Sequence, residues 1–207
     1  AKSHHVVPVV LASDWHLDEV VKPEQINGLN AYNRQIAELR LRRYFENTIK
    51  ITRNYLKGFD YPGIVMAGCG DILSGNIHEE LRNTNADVIM SSMFHWLPLV
   101  AAGLKLWAAE FGKVLVTWVV GNHGRMSVKP IYKNRARENF DWLFARILQR
   151  DLAGDKRISW AVSDSNRAFF TVCNTRFSMT HGDEARGGSG IAGLLSPLMI
   201  ADARARK

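Results

Sequence analysis

The chain has 207 residues, 46% of them hydrophobic and 23% charged, and a net charge of +7. This is the composition of a soluble globular chain of one domain with a sizeable core, and it excludes a low-complexity or repeat architecture. Nothing resembles a signal peptide, and the most apolar region, 96–120, is interrupted by Lys105, Glu110 and Lys113, which argues against a membrane span.

Residues 6–12 form a short, valine-rich apolar run that reads as a buried strand. Residues 35–57 show helical spacing in Ile36, Leu39, Leu41, Phe45, Ile49, Ile51 and Tyr55, with Gly58 as a stop. Residues 63–67 are a second buried strand, ending in Gly68-Cys69-Gly70-Asp71. A long apolar helix is expected over 86–111, kinked or split at Pro98, and a third strand over 113–120. Strands joined by helical crossovers imply a mainly parallel sheet. Another amphipathic helix is expected over 135–152. The runs 158–162, 168–172 and 176–179 then follow too closely for helices between them, so they are expected to pair antiparallel, in a second sheet or at the edge of the first. Residues 191–206 read as a helix disturbed by Pro197.

Cys69 and Cys173 each close a predicted strand and read as buried structural thiols. Two cysteines are too few for a disulfide framework or a thiolate zinc site and fit a reducing, cytoplasmic setting. Basic residues gather in Arg40, Arg42, Arg43, Lys50, Arg53 and Lys57, in 129–137 and in 204–207. A polyanion such as nucleic acid is the partner this charge suits; solvated helix faces and a frayed tail are the alternative.

Four predicted strands end in residues that bind metals: Asp14-x-His16, Gly70-Asp71, Gly121-Asn122-His123 and His181-Gly182. Strand ends are where α/β proteins assemble sites. Two residues apart on a strand, Asp14 and His16 would point to the same side, with Trp15 turned to the core. A carboxylate such as Asp71 has two oxygens and can bridge two cations. Asn122 offers a neutral oxygen ligand, His123 a proton or hydrogen bond for a phosphate or leaving group, and His181 a second imidazole. Mixed carboxylate and imidazole donors suit Mn²⁺, Fe²⁺ or Zn²⁺.

In this order the four motifs resemble the calcineurin-like metallophosphoesterase superfamily, whose pattern runs D-x-H, G-D, G-N-H-D/E, H and then G-H-x-H. The stretches 70–80 (GDILSGNIHEE) and 181–190 (HGDEARGGSG) are further similar to bacteriophage-encoded phosphoesterases. The resemblance implies an α/β fold of two facing sheets flanked by helices, and two divalent cations, Mn²⁺ foremost. Asp14 and His16 would hold one cation, Asn122 and His181 the other, with Asp71 between them and His123 as catalytic acid or phosphate contact. Two departures stand out. Gly124 replaces the acidic residue that would orient His123, and no histidine follows His181. Residues 1–207 are therefore expected to be one domain lacking its last strands, with the final motif beyond the 191–206 helix.

Arg186, Gly187 and Gly188, before a helix, could cradle an anion or form a plain capped loop. Arg125 and His78 are further substrate-binding candidates. Asp18 and Glu19 either rim the site or lie in a surface turn, and His4, His5 and His95 support no functional role. The expected activity is phosphoester hydrolysis by in-line attack of a metal-activated water, on nucleic acid as a phosphodiesterase or nuclease. The alternatives are a protein or nucleotide phosphatase, or a non-catalytic binding protein with a degraded site.

Overall fold

Strands that are apolar on every residue need cover on both faces; the computed structural model, which describes residues 4–184 and 191–205, gives that cover to 64–68 and 114–118, whereas the expected buried strand at 6–12 is an edge strand that leaves Val9 and Leu11 exposed. Strands β2 (Val9–Ala12), β4 (Ile64–Gly68), β5 (Val114–Trp118) and β6 (Ile158–Val162) form one sheet in the order β2-β4-β5-β6, parallel throughout. Short β1 (His4–His5) and β3 (Phe59–Asp60) pair beside it. Helix α1 (Arg34–Lys50), continued by a π turn at Ile51–Tyr55, links β2 to the β3–β4 segment; α2 (Glu79–Thr84) and α3 (Ile89–Phe111) link β4 to β5, and α4 (Phe140–Asp151) links β5 to β6.

Side chains sort by the two-residue period of a strand. Ile64, Met66, Val114, Val116 and Trp118 enter a core with Phe45, Trp96, Val100, Leu104, Trp107, Phe144 and Leu148 from the helices. Val65 and Ala67 point the other way and meet Ala168, Phe170 and Met179 of the antiparallel hairpin β7 (Arg167–Val172) and β8 (Thr175–Thr180). The molecule is thus α/β: helices on one face of a parallel sheet, a hairpin on the other.

The expectation for 158–162 is corrected. β6 pairs parallel with β5, Val114 opposite Ile158, because α4 supplies the crossover before it. Of the three runs only β7 and β8 pair antiparallel, turning at Cys173 and Asn174 with φ of 47° and 66°. That turn leaves Cys173 exposed, against expectation, while Cys69 is buried. The 135–152 helix begins late, at Phe140, because the buried Asn139 caps it by accepting the Asp141 N–H. Helix α3 runs unbroken through Pro98. It is long and apolar enough to cross a membrane, yet Trp96, Val100, Leu104 and Trp107 sink its inner side into the core. Helix α5 (Ile191–Ala205) follows β8.

Helices α1 and α3 touch where Gly103 faces Phe45. A Cβ on Gly103 would lie 2.2 Å from the Phe45 ring, which itself packs edge-on against Trp107 with centroids 4.8 Å apart. Gly103→Ala would gain about 1 kcal/mol of helix propensity, but overpacking a filled core costs about 1–3 kcal/mol. The steric term should win: urea denaturation is expected to show net destabilisation, and a stabilised variant would refute the close packing.

Candidate metal centre

Parallel strands that finish side by side deliver their next residues to one edge. Beyond β2 and β4 the backbone ladder continues through Cys69 N–H to the Ala12 carbonyl at 2.7 Å, Asp14 N–H to Gly70 at 3.1 Å and His16 N–H to Asp71 at 3.1 Å. Asp14 and His16 are not on the strand, however. They lie past its end with φ of 53° and 45°, and Asp18 follows at 74°. Left-handed backbone costs a non-glycine residue about 1–2 kcal/mol, a strain characteristic of functional loops.

The loop is held from below. Asp18, 2% exposed, accepts hydrogen bonds from Arg34 at 2.8 and 2.7 Å, so it is neither a rim residue nor in a surface turn. Burial pushes its carboxyl up, but Arg34, with Ser92 and Trp96 facing it, outweighs this and holds it below the usual carboxylate range. Trp15 turns inward, edge-on to Tyr44.

At the edge, two groups of possible metal ligands share one carboxylate. His16, Asp71 and His123 form one, and Asp14, Asp71 and His181 the other, with ligand atoms of each group within 4.8 Å of one another. The split expected from the motifs is thereby altered. Asp14 and His16, with side-chain atoms 3.8 Å apart, fall into different groups, because their left-handed backbone fans them out.

His181 shows what the edge requires. Its Nδ1 is 2.7 Å from the Cys69 carbonyl, so that nitrogen carries the proton and Nε2 faces inward. There it meets Asp71 Oδ2 at 3.1 Å and Asn122 Oδ1 at 3.2 Å, both acceptors. Only a cation, a proton or a metal, reconciles these lone pairs. Burial alone would lower the His181 pKa, but Asp71 and the Cys69 carbonyl outweigh it and push it up to about 9. Burial likewise raises Asp71, yet His181 and the His123 N–H hold it below the usual range. This donor set of carboxylate, imidazole and amide oxygens fits a divalent cation of the Mn²⁺, Fe²⁺ or Zn²⁺ class, and the carbonyl behind the imidazole is the support metal-binding histidines use.

His123 is oriented the same way, its Nδ1 3.0 Å from the Ser74 carbonyl, which answers the role left vacant at position 124. Its ring sits edge-on to His16, with centroids 4.6 Å apart, and 5.5 Å from that of the exposed His78. Gly124 is glycine for steric reasons: a Cβ there would lie 2.3 Å from Asn139 Oδ1 and 3.0 Å from the Asp141 carboxylate.

Asp141, which the motifs did not single out, underlies the whole edge. Wholly buried on the first turn of α4, it accepts the N–H groups of Asp71 at 2.9 Å, Ile72 at 3.2 Å and Gly121 at 3.0 Å. Desolvation, and then the charge of Asp71, push its carboxyl up to about 6 against these bonds. Gly121 permits the close approach, since a Cβ there would meet Asp71 Oδ1 at 2.0 Å. The usable signal in the sequence was Asn139-x-Asp141 as a helix start, hidden by placing that start at 135.

Arg125 spends its guanidinium on the carbonyls of Asn122, Ser127 and Val128 and braces the loop that leaves the site. Arg135 clamps that loop to Asp183 and Glu184, just after His181. Arg186, Gly187 and Gly188 lie outside the described residues. No protein-family model matches the chain, and comparisons with curated proteins and with solved structures return no match either.

Asp141→Ala should unfold the edge before the core. Orphaning three buried N–H groups, at about 1–3 kcal/mol each, is expected to cost at least about 3 kcal/mol by denaturant titration. Gly124→Asp, which introduces the acidic residue expected there from the resemblance, should destabilise rather than improve the site, by at least about 1 kcal/mol. A neutral Asp141→Ala or a stabilising Gly124→Asp would contradict this construction.

Proposed function

We propose that the chain is a calcineurin-like metallophosphoesterase that hydrolyses phosphodiesters in nucleic acid. One observation carries the reading: a single carboxylate, Asp71, belongs to both ligand groups, as a binuclear centre demands. Asp14, His16, Asp71, Asn122 and His181 would hold two divalent cations, Mn²⁺ first by donor type and Fe²⁺ or Zn²⁺ next. When bound, such cations polarise the phosphoryl oxygens and acidify a water.

The chain's own residues supply the rest. His123 lies between His16 and the exposed His78, with Nδ1 tied to the Ser74 carbonyl. That leaves Nε2 as the free ring nitrogen, suited to protonate the departing alkoxide as water attacks phosphorus from the opposite side and the P–O bond breaks. His78, at the start of α2, stands over the same face as a substrate contact. The net charge of +7 and the exposed Lys129, Tyr132 and Lys133, on the loop that continues from His123, favour a polyanion with bases to stack.

Calorimetric titration of the chain with Mn²⁺ is expected to give two sites, and Asp71→Asn should lose both. With metal, His123→Asn should cut kcat about 10²–10⁴-fold on a diester with an alkyl leaving group and far less on a 4-nitrophenyl ester, metal content unchanged. Absence of metal binding by the wild-type chain would end the enzyme reading; loss of a metal in His123→Asn would make that residue a ligand instead.

A further inference from the structure

Beside Asp14, the loop and helix α1 enclose a cavity of about 210 Å³ whose walls include Trp15, Tyr32, Ala37, Arg40 and Tyr44. The two tyrosine hydroxyls are committed elsewhere, Tyr32 donating to the Trp15 carbonyl at 2.6 Å and Tyr44 to the Val10 carbonyl at 3.5 Å. What these residues offer a ligand is therefore ring carbon. Leu17 and Leu41 complete an apolar floor. The polar groups are at the margin: the Asp14 carboxylate, a candidate metal ligand, and the Arg40 guanidinium, 5.2 Å from the centroid of the Tyr32 ring.

We infer that this cavity is a nucleobase subsite, holding the base of the phosphoester whose phosphate lies at the Asp14–Asp71–His181 edge. The inference deepens the phosphoesterase reading and rests on it for the position of the phosphate. Size agrees: an apolar cavity of about 150 Å³ holds benzene, so this larger one, open at its mouth, admits a heteroaromatic ring. Chemistry agrees as well. A sugar or a second phosphate would leave its polar atoms unpaired against Leu17, Leu41 and the aromatic rings. A flat base gains stacking there, and its ring nitrogens and any exocyclic oxygens find donors on Arg40, whose planar fork also stacks on π faces. A plain phenyl ring, as in a phosphotyrosine, would leave those donors unused.

The test needs neither metal nor turnover. Saturation-transfer NMR on the full metal-free chain would compare adenosine, ribose and phenol, with Arg40→Ala, Arg40→Lys and the cavity-filling Ala37→Leu as variants. Adenosine should receive saturation chiefly at H2 and H8, and ribose and phenol should bind at least about tenfold more weakly. Arg40→Ala should weaken adenosine about tenfold, the worth of one stacked base, with Arg40→Lys failing to restore it and Ala37→Leu abolishing it. Equal binding of the three ligands, or adenosine binding unchanged in Arg40→Ala, overturns the subsite; if Ala37→Leu fails to fold, Arg40→Ala decides alone. Octadeoxyadenylate compared with adenosine monophosphate then separates the sources. Tighter, salt-sensitive binding of the oligomer assigns the base to a strand, and equal binding per nucleotide assigns it to a free nucleotide. Failure of every ester to hydrolyse would refute the phosphoesterase reading while leaving these readouts intact, and failure of adenosine to bind would refute the subsite while leaving hydrolysis intact.

Discussion

Three backbone N–H groups from two different strand ends converge on one buried carboxylate, that of Asp141. Everything at the site edge follows from that convergence. The Asp71 and Ile72 N–H groups fix the turn after β4 and the Gly121 N–H fixes the turn after β5, so Asp71 and Asn122 cannot drift apart. A charge wholly removed from water is tolerable only where donors replace the lost solvation. Here they do so while joining two elements far apart in sequence. Asn139 extends the same device, donating its side-chain N–H to the Gly121 carbonyl at 2.9 Å and accepting the Asp141 N–H on its Oδ1 at 2.8 Å.

On this footing the loop after β2 is the strained partner. Asp14, His16 and Asp18 alternate through left-handed backbone, a conformation that Asp and His accept more readily than most residues. The buried Asp18–Arg34 pair and the ladder to the β4 turn hold it there. The consequence is chemical: Asp14 and His16 enter different ligand groups around Asp71, so one short loop serves both. His181 completes the edge from the hairpin layer, its ring directed by the Cys69 carbonyl and its second nitrogen confronting two oxygens.

Much of the fold was legible because burial on both faces writes itself plainly. Val65 and Met66, adjacent and both buried, belong to opposite cores, and only a sheet covered on both sides allows that. Asp71 and Asn122 were legible for a related reason: each follows such a run closely, whereas Asp14 and His181 follow the more exposed strands β2 and β8. What was not legible depends on backbone detail or distant partners. Nothing in Asp14-Trp15-His16 announces positive φ, so the pair reads as strand. The short gaps after β6 suggested a meander and masked its helical crossover. Asp141 looked like an ordinary helix residue until Asn139 was seen to cap the helix, and its partners lie 20 and 70 positions away. The basic clusters misled in part, since Arg53, Arg135 and Arg137 are spent on Glu110, on Asp183 and Glu184, and on Asp164.

The central claim is that Asp71 joins two cations into one centre. Electron paramagnetic resonance of the Mn²⁺-loaded chain tests it most directly, because two ions bridged by one carboxylate are exchange-coupled. The account predicts the multiline spectrum of a coupled manganese pair, replaced by isolated-ion signals or none in Asp71→Asn. A wild-type spectrum of isolated Mn²⁺ at full loading would contradict it.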